Sequence, residues 1–167
     1  MLRRGAANLD LGVACLALVV VVASVAWGVL TRYVVSQPAV WTTELSSIAF
    51  AWVVFFGAAA AMRRGMHIAI PIFVDMLPAT ARKAATLLSL ALVIGFLGYT
   101  FYLAGLLSAQ SFNRPSPVLR ISFAYVYAGI AAALFLMLVH AILQLFAVWR
   151  STDGTIAYPP QEAEEAG

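Results

Sequence analysis

Charged residues are scarce in this sequence of 167 residues, because Lys, Arg, Asp and Glu together make up only 10% of it. Soluble domains usually carry about 25% charged residues. Apolar residues make up 63% of the chain, whereas a soluble domain of about 150 residues buries only about 70% of the surface that its unfolded chain exposes. The composition therefore excludes a soluble enzyme and a disordered chain, and it indicates an integral membrane protein.

Cysteine and histidine are nearly absent as well, with one Cys and two His residues in the whole chain. Cys15 has no partner for an internal disulfide, which excludes a disulfide-stabilised scaffold. The sequence also lacks a Ser–His–Asp set, paired intramembrane carboxylates and a phosphate-binding glycine loop. We therefore expect no enzyme activity, no catalytic residue, no cofactor, no metal site and no nucleic-acid partner.

The two histidines raise the alternative of a haem-binding membrane anchor of a redox complex. Axial haem ligands must meet at one depth in the membrane. His67 lies beyond the end of the second apolar stretch, while His140 lies about 13 Å inside the fourth, at 1.5 Å per helical residue. We therefore expect His140 to form a hydrogen bond within the helix bundle.

Four apolar stretches are long enough to cross a bilayer, which takes roughly 20 helical residues. Strands of a membrane barrel would alternate polar and apolar residues, and these stretches do not. The sequence therefore predicts an all-α integral membrane protein, with one four-helix domain over 1–150 and an acidic, disordered cytoplasmic tail over 151–167. The predicted spans are 11–31, 43–62, 85–107 and 121–148.

Positive charge is distributed unequally between the connections. Seven Lys and Arg residues fall on the side of the two termini, and three fall on the other side. Because short cytoplasmic loops carry the excess of positive charge, both termini are expected inside the cell. The three residues on the outer side are Arg32, Arg114 and Arg120.

The connection between the second and third spans is unusually apolar. It begins with Arg63 and Arg64, which suit both a cytoplasmic surface and a helix C-terminus. The following segment 68–77 is apolar but too short to span the membrane. We expect this interfacial segment to lie flat on the cytoplasmic side or against another subunit.

Arg32 and Glu44 stand at the outer ends of consecutive predicted helices, joined by only a short connection. An ion pair between them would lower the cost of holding a carboxylate near the hydrocarbon edge. An ion pathway would need further polar groups, and the residues after Glu44 are Leu45, Ser46, Ser47 and then an apolar run. We therefore predict a structural pair.

Small residues on the spans indicate where helices approach one another closely. Gly57 with the alanines that follow it, Gly95 and Gly129 are the main examples. Aromatic residues such as Trp52 and Phe96 instead provide large surfaces for lipid or for a partner protein.

The order of several short motifs resembles one known family, the small membrane subunit of tripartite ATP-independent periplasmic (TRAP) transporters. The resemblance runs from about residue 9 to residue 149. Arg32-Tyr33 closes the first helix, and Trp41-x-x-Glu44 opens the second. The remaining motifs are Gly57, Arg63-Arg64-Gly65-x-His67-Ile68, Asp75-x-Leu77-Pro78 and Ser116-Pro117.

The resemblance implies a bacterial inner-membrane subunit that works with two partners. One is a large membrane subunit, which moves sodium and substrate by an elevator-type motion, and the other is a periplasmic substrate-binding protein. The small subunit would be a stationary scaffold in the uptake of an organic acid. A stand-alone small transporter remains an alternative. The candidate structural or subunit-contact residues are Arg32, Trp41, Glu44, Arg63, Arg64, His67 and Asp75.

Overall fold

The computed structural model describes residues 9–63 and 78–150, and within these stretches it contains four long helices and no β-strand. We number them α1 to α4 in chain order. All four are long and apolar enough to cross a membrane, which confirms the predicted fold class. Both the interfacial segment 68–77 and the tail 151–167 lie outside the described residues. The helices are α1 (Leu9–Tyr33), α2 (Trp41–Arg63), α3 (Ala79–Gln110) and α4 (Phe123–Arg150).

The four spans are helical because a helix satisfies its own backbone hydrogen bonds where no water is available. No proline interrupts any of them. Pro78 immediately precedes α3 in an extended conformation, at φ −59° and ψ 151°. At 32 residues, α3 is about 48 Å long, so it extends beyond the hydrocarbon layer of about 30 Å.

Charged side chains stand at the ends of α1 and α2 that suit the helix dipole. Asp10 lies in the first turn of α1 and Arg32 in its last turn. Glu44 lies in the first turn of α2 and Arg63 in its last. Because the two helices are consecutive and antiparallel, each end of this hairpin carries one acid and one base.

The helices form a row in the order α1–α2–α4–α3. Helix α1 packs on α2 and α3 packs on α4, so that each hairpin is a packing unit. The two hairpins meet through α2 and α4. Helices α1 and α3 therefore form the edges of this helix row.

The apolar core lies between α2, α3 and α4, and small residues allow the helices to approach. Ala59, Ala133 and Ala141 are fully buried. A Cβ atom on Gly129 would lie 2.7 Å from the Trp52 indole nitrogen, so the ring lies directly against the α4 backbone. Gly57 and Gly95 differ from the prediction, because a Cβ there would meet nothing within 4 Å.

The connection between α3 and α4 is tightly organised. The Ser122 hydroxyl lies 3.0 and 2.9 Å from the Ser111 and Phe112 carbonyls, which share its single proton as acceptors. The hydroxyl also accepts a hydrogen bond from the Ala124 amide at the start of α4, as an N-terminal cap does. Ser116 is 2% exposed, and its amide donates to the Ile121 carbonyl. The connection is thus a rigid unit against which another side chain can bind.

Candidate functional site

Polar contacts between helices concentrate at the two ends of the helix row. We call the end that holds connections 34–40 and 111–122 the loop end, and the opposite one the terminal end. The described part of the chain holds no group of three or more His, Cys, Asp or Glu residues that could bind a metal. The ends, and the long apolar faces that join them, are therefore the candidates for function.

At the loop end, Glu44 holds the connection between α3 and α4. The Val118 and Leu119 amides both donate to its Oε2 atom, at 3.0 Å each. Hydrogen bonds to a charged acceptor are stronger than those between neutral groups. The carboxylate therefore joins the first turn of α2 to the second hairpin.

This arrangement replaces the ion pair that we predicted between Arg32 and Glu44. Both residues lie in the described part of the chain, and no such pair forms there. The reason is the position of α2 between α1 and α4. Glu44 contacts the connection that leads into α4, whereas Thr42 and Thr43 line the groove shared with α1.

At the terminal end, Arg63 and Asp10 form an ion pair between α2 and α1. The Arg63 Nη2 atom lies 3.2 Å from Asp10 Oδ1, and the side chains are only 18% and 5% exposed. The Leu11 amide donates to the same oxygen at 3.0 Å. Arg63 was a candidate from the sequence, and the structure gives it a contact within the chain.

Two further contacts fix the remaining helix pairs at this end. The Gln144 side-chain amide donates to the Met62 carbonyl at 2.8 Å, joining α4 to the last turn of α2. The Lys83 ammonium donates to the Trp149 carbonyl at 3.1 Å, joining α3 to α4. Both acceptors lie in a last helical turn, where carbonyls lack partners within the helix. Every neighbouring pair in the row is therefore held at its terminal end.

His140 bonds to its own helix, as expected from the sequence. Its Nδ1 atom lies 2.7 Å from the Leu136 carbonyl, which accepts the hydrogen bond. His67 lies outside the described residues, as do two other candidates, Arg64 and Asp75. Their predicted roles remain predictions.

Arg32 and Trp41 are exposed at the loop end. Trp41 is 39% exposed at the first position of α2, and Arg32 lies in the last turn of α1. Arg32 forms no ion pair within the described residues. Both Arg32 and Trp41 remain candidates for a contact outside this chain.

Several participants in these contacts were missed from the sequence. Asp10 carried a usable signal, because it lies in the first turn of a helix antiparallel to the one that Arg63 ends. The Val118 and Leu119 amides carried none, since every residue except proline has a backbone N–H group.

The apolar faces of the row are largely uncovered. In each helix, no more than 22% of the most apolar 18-residue stretch is buried. Large side chains protrude from edge helices and central helices alike. Those at least 60% exposed include Leu16, Val19, Leu88, Leu92, Phe96, Tyr99, Leu143 and Phe146.

Comparison with known proteins gives several relatives. Over 106 residues the chain is 30% identical to the sialic acid TRAP transporter small permease protein SiaQ of Vibrio cholerae, covering 59% of this chain and 61% of that protein. It is 33% identical over 104 residues to the C4-dicarboxylate TRAP transporter small permease protein DctQ of Rhodobacter capsulatus, covering 59% and 44%. The C4-dicarboxylate TRAP transporter small permease protein DctQ of Vibrio cholerae is 31% identical over 68 residues, which cover 41% of this chain and 29% of that protein.

The matched regions thus cover between 29% and 61% of the relatives' own lengths. A wider match comes from a family model, described as the DctQ component of tripartite ATP-independent periplasmic transporters, which covers residues 21–151. That range takes in the second half of α1 and all of α2, α3 and α4. With its four apolar helices, the chain is a multi-pass protein of the bacterial inner membrane, and it belongs to the DctQ family of TRAP transporter small permease subunits.

Proposed function

We propose that this chain is the stationary membrane scaffold of a sodium-driven TRAP transporter. A large membrane subunit would carry the solute across the bilayer by an elevator-type motion. A periplasmic binding protein would deliver that solute. The observation that carries the proposal is the helix row, fastened at its ends and apolar on its faces.

A scaffold must resist deformation while a partner moves against it. Glu44 joins the two hairpins at the loop end, and Gln144 joins them at the terminal end. They are separated along α2 by about 18 residues, or about 27 Å. Two widely separated contacts prevent rotation about either one, which supports a stationary role.

The uncovered faces support a large permanent contact. Lipid tails are as apolar as leucine side chains, so helices in a membrane associate through packing and hydrogen bonds. A row of four helices presents two broad faces for such packing, whereas a closed bundle buries its inner faces. We infer that the large subunit packs against this row.

The proposed role involves no contact with the solute. Sodium sites in transporters use clusters of oxygen ligands, often at broken helices. The described helices are continuous, and the deep polar groups Gln144 and His140 bond to backbone carbonyls of the chain itself. We therefore assign solute and sodium binding to the large subunit, with no catalytic activity in this chain.

The substrate class follows from the relatives' names. They are described as transporters of sialic acid and of C4-dicarboxylates, both of which carry carboxylates. We propose a carboxylate-bearing organic acid for this transporter.

We further propose that the loop end faces the periplasm, with both termini in the cytoplasm. Seven Lys and Arg residues on the terminal side against three on the loop side support this orientation. In a Cys15→Ser background, a membrane-impermeant thiol reagent added to spheroplasts should label Gln37→Cys and Asn113→Cys. It should leave Gly154→Cys unlabelled, and labelling of that variant from outside would refute the orientation.

Reconstituted transport tests the function itself. Proteoliposomes that hold this chain, the large subunit and the binding protein should take up the acid along a sodium gradient, and omission of this chain should abolish uptake. Uptake by this chain alone would contradict the scaffold role. So would changed substrate selectivity in His140→Ala or Gln144→Leu.

A further inference from the structure

A groove opens between α1 and α2 at the loop end. Its volume is about 430 Å³, within the range of about 300–1,000 Å³ that is typical of small-molecule sites. Its walls come from the last turns of α1, connection 34–40 and the first turns of α2. None of the interhelical contacts described above uses it.

The α1 wall of this groove changes from apolar to charged along the helix axis. Val25, Val29 and Arg32 lie at spacings of four and three residues, which places them on one helix face. Both valines are 51% exposed. Arg32 lies about 10 Å from Val25 along the axis, toward the membrane surface.

The α2 wall consists of neutral polar side chains. Thr43 and Ser46 line the groove on the α2 side. The Ser46 hydroxyl donates to the Thr43 carbonyl at 3.0 Å, so its oxygen still has lone pairs free to accept. Arg32 and these hydroxyl groups therefore line one groove, and the apolar α1 residues Val25 and Val29 lie deeper in it than Arg32.

Arg32 lacks an anionic partner in the described part of the chain, because Glu44 is held by Val118 and Leu119. Arginine binds phosphate through two parallel N–H···O hydrogen bonds. We propose that the groove binds one membrane phospholipid. Its phosphate lies at Arg32, and the upper part of one acyl chain lies along Val29 and Val25.

A phospholipid fits because its groups are complementary to those of the groove. Its anionic phosphate lies at the membrane surface, where Arg32 is, and its hydrocarbon lies beneath, where the valines are. A soluble phosphate compound would leave the exposed valines unused. An acidic side chain of a partner subunit would bind Arg32 but would not follow the apolar face of α1. The site does not depend on which leaflet faces the loop end.

Native mass spectrometry of the full chain in detergent, titrated with phosphatidylglycerol, tests the proposal. Arg32→Gln should weaken binding of the first lipid at least tenfold, because it removes the charged hydrogen bonds to the phosphate and the loss of one alone has about that effect. Arg32→Lys should lose less, and Val29→Trp should weaken binding by filling the groove. Arg114→Gln is the matched control, since it removes a positive charge at the same end outside the groove.

The outcomes separate the lipid from the other occupants. Millimolar glycerol 3-phosphate should fail to displace the lipid, and displacement would show a simple phosphate site and overturn the proposal. Equal losses of lipid affinity in Arg32→Gln and Arg114→Gln would show that only the overall positive charge matters, and they would overturn the proposal as well. If Arg32→Gln binds lipid as wild type does but no longer copurifies with the large subunit, Arg32 is a subunit contact and the proposal is wrong.

Discussion

The ion pair between Asp10 and Arg63 predicts how α1 is held in the row. Helix α1 has extensive packing contacts only with α2. The Asp10–Arg63 pair is the ion pair between these two helices in the described part of the chain. Asp10→Asn would leave the Arg63 charge, which is only 18% exposed, without compensation. Removal of one partner of a fully buried pair costs about 3–5 kcal/mol, and the partial exposure of Arg63 places this site at the lower end of that range.

The same geometry indicates that the pair itself adds little net stability. Asp10 Oδ2 and Arg63 Nε are both buried without a hydrogen-bond partner in the described chain. Burying such groups carries a desolvation cost that one 3.2 Å contact only partly offsets. Replacing both residues with apolar ones, Asp10→Leu with Arg63→Met, should therefore restore most of the stability that either single change loses.

Thermal unfolding of the purified chain in detergent measures this coupling. A loss of about 3 kcal/mol corresponds to a decrease in Tm of roughly 6–12 °C for a chain of this size. Each single variant should show this decrease, and the double variant should lie within a few degrees of wild type. Arg114→Gln serves as the control for charge removal. Additive losses in the double variant would refute the coupling, because independent sites simply add.

Three further predictions concern other contacts. Glu44→Leu removes the acceptor of the Val118 and Leu119 amides and leaves both donors unpaired, so thiol labelling of Asn113→Cys should become faster, while Ser47→Ala on the same helix leaves it unchanged. Gly129→Leu forces Trp52 away from α4 and should lower stability by about 1–3 kcal/mol and shift tryptophan fluorescence, whereas Gly57→Leu, with open space around it, should do neither. Gln144→Leu leaves the Met62 carbonyl unpaired and should cost about 1 kcal/mol in thermal unfolding; an unchanged Tm would contradict that bond's contribution.

Hydrophobic length predicts the helices of this protein well, since a bilayer admits few backbone solutions. The predicted spans agree with the observed helices within a few residues at most ends. Helix α3 begins at Ala79, six residues before its predicted span, and Pro78 predicts this early start because proline favours the first turn of a helix. Those residues include Arg82 and Lys83, which a criterion based on apolar length leaves out.

The order of the helices in the row could not be read from the sequence. Each span is apolar around its whole circumference, so its pattern does not mark a buried face. The Arg32–Glu44 prediction shows the consequence. It assumed that the two residues on one hairpin face each other, but α2 has a neighbour on each side and Glu44 lies toward the second one.

The distribution of polar contacts explains how the order of the helices is maintained although most of their apolar surface is uncovered. Apolar packing between α2 and α4 is interchangeable with lipid, so it specifies the helix order weakly. Hydrogen bonds to carbonyls and amides at helix ends are specific, because those groups otherwise lack partners. Gln144 uses the Met62 carbonyl at one end, and Glu44 uses two loop amides at the other. Because these bonds lie about 27 Å apart, they fix both the pairing of the hairpins and their angle, and the broad faces between them remain free for a partner.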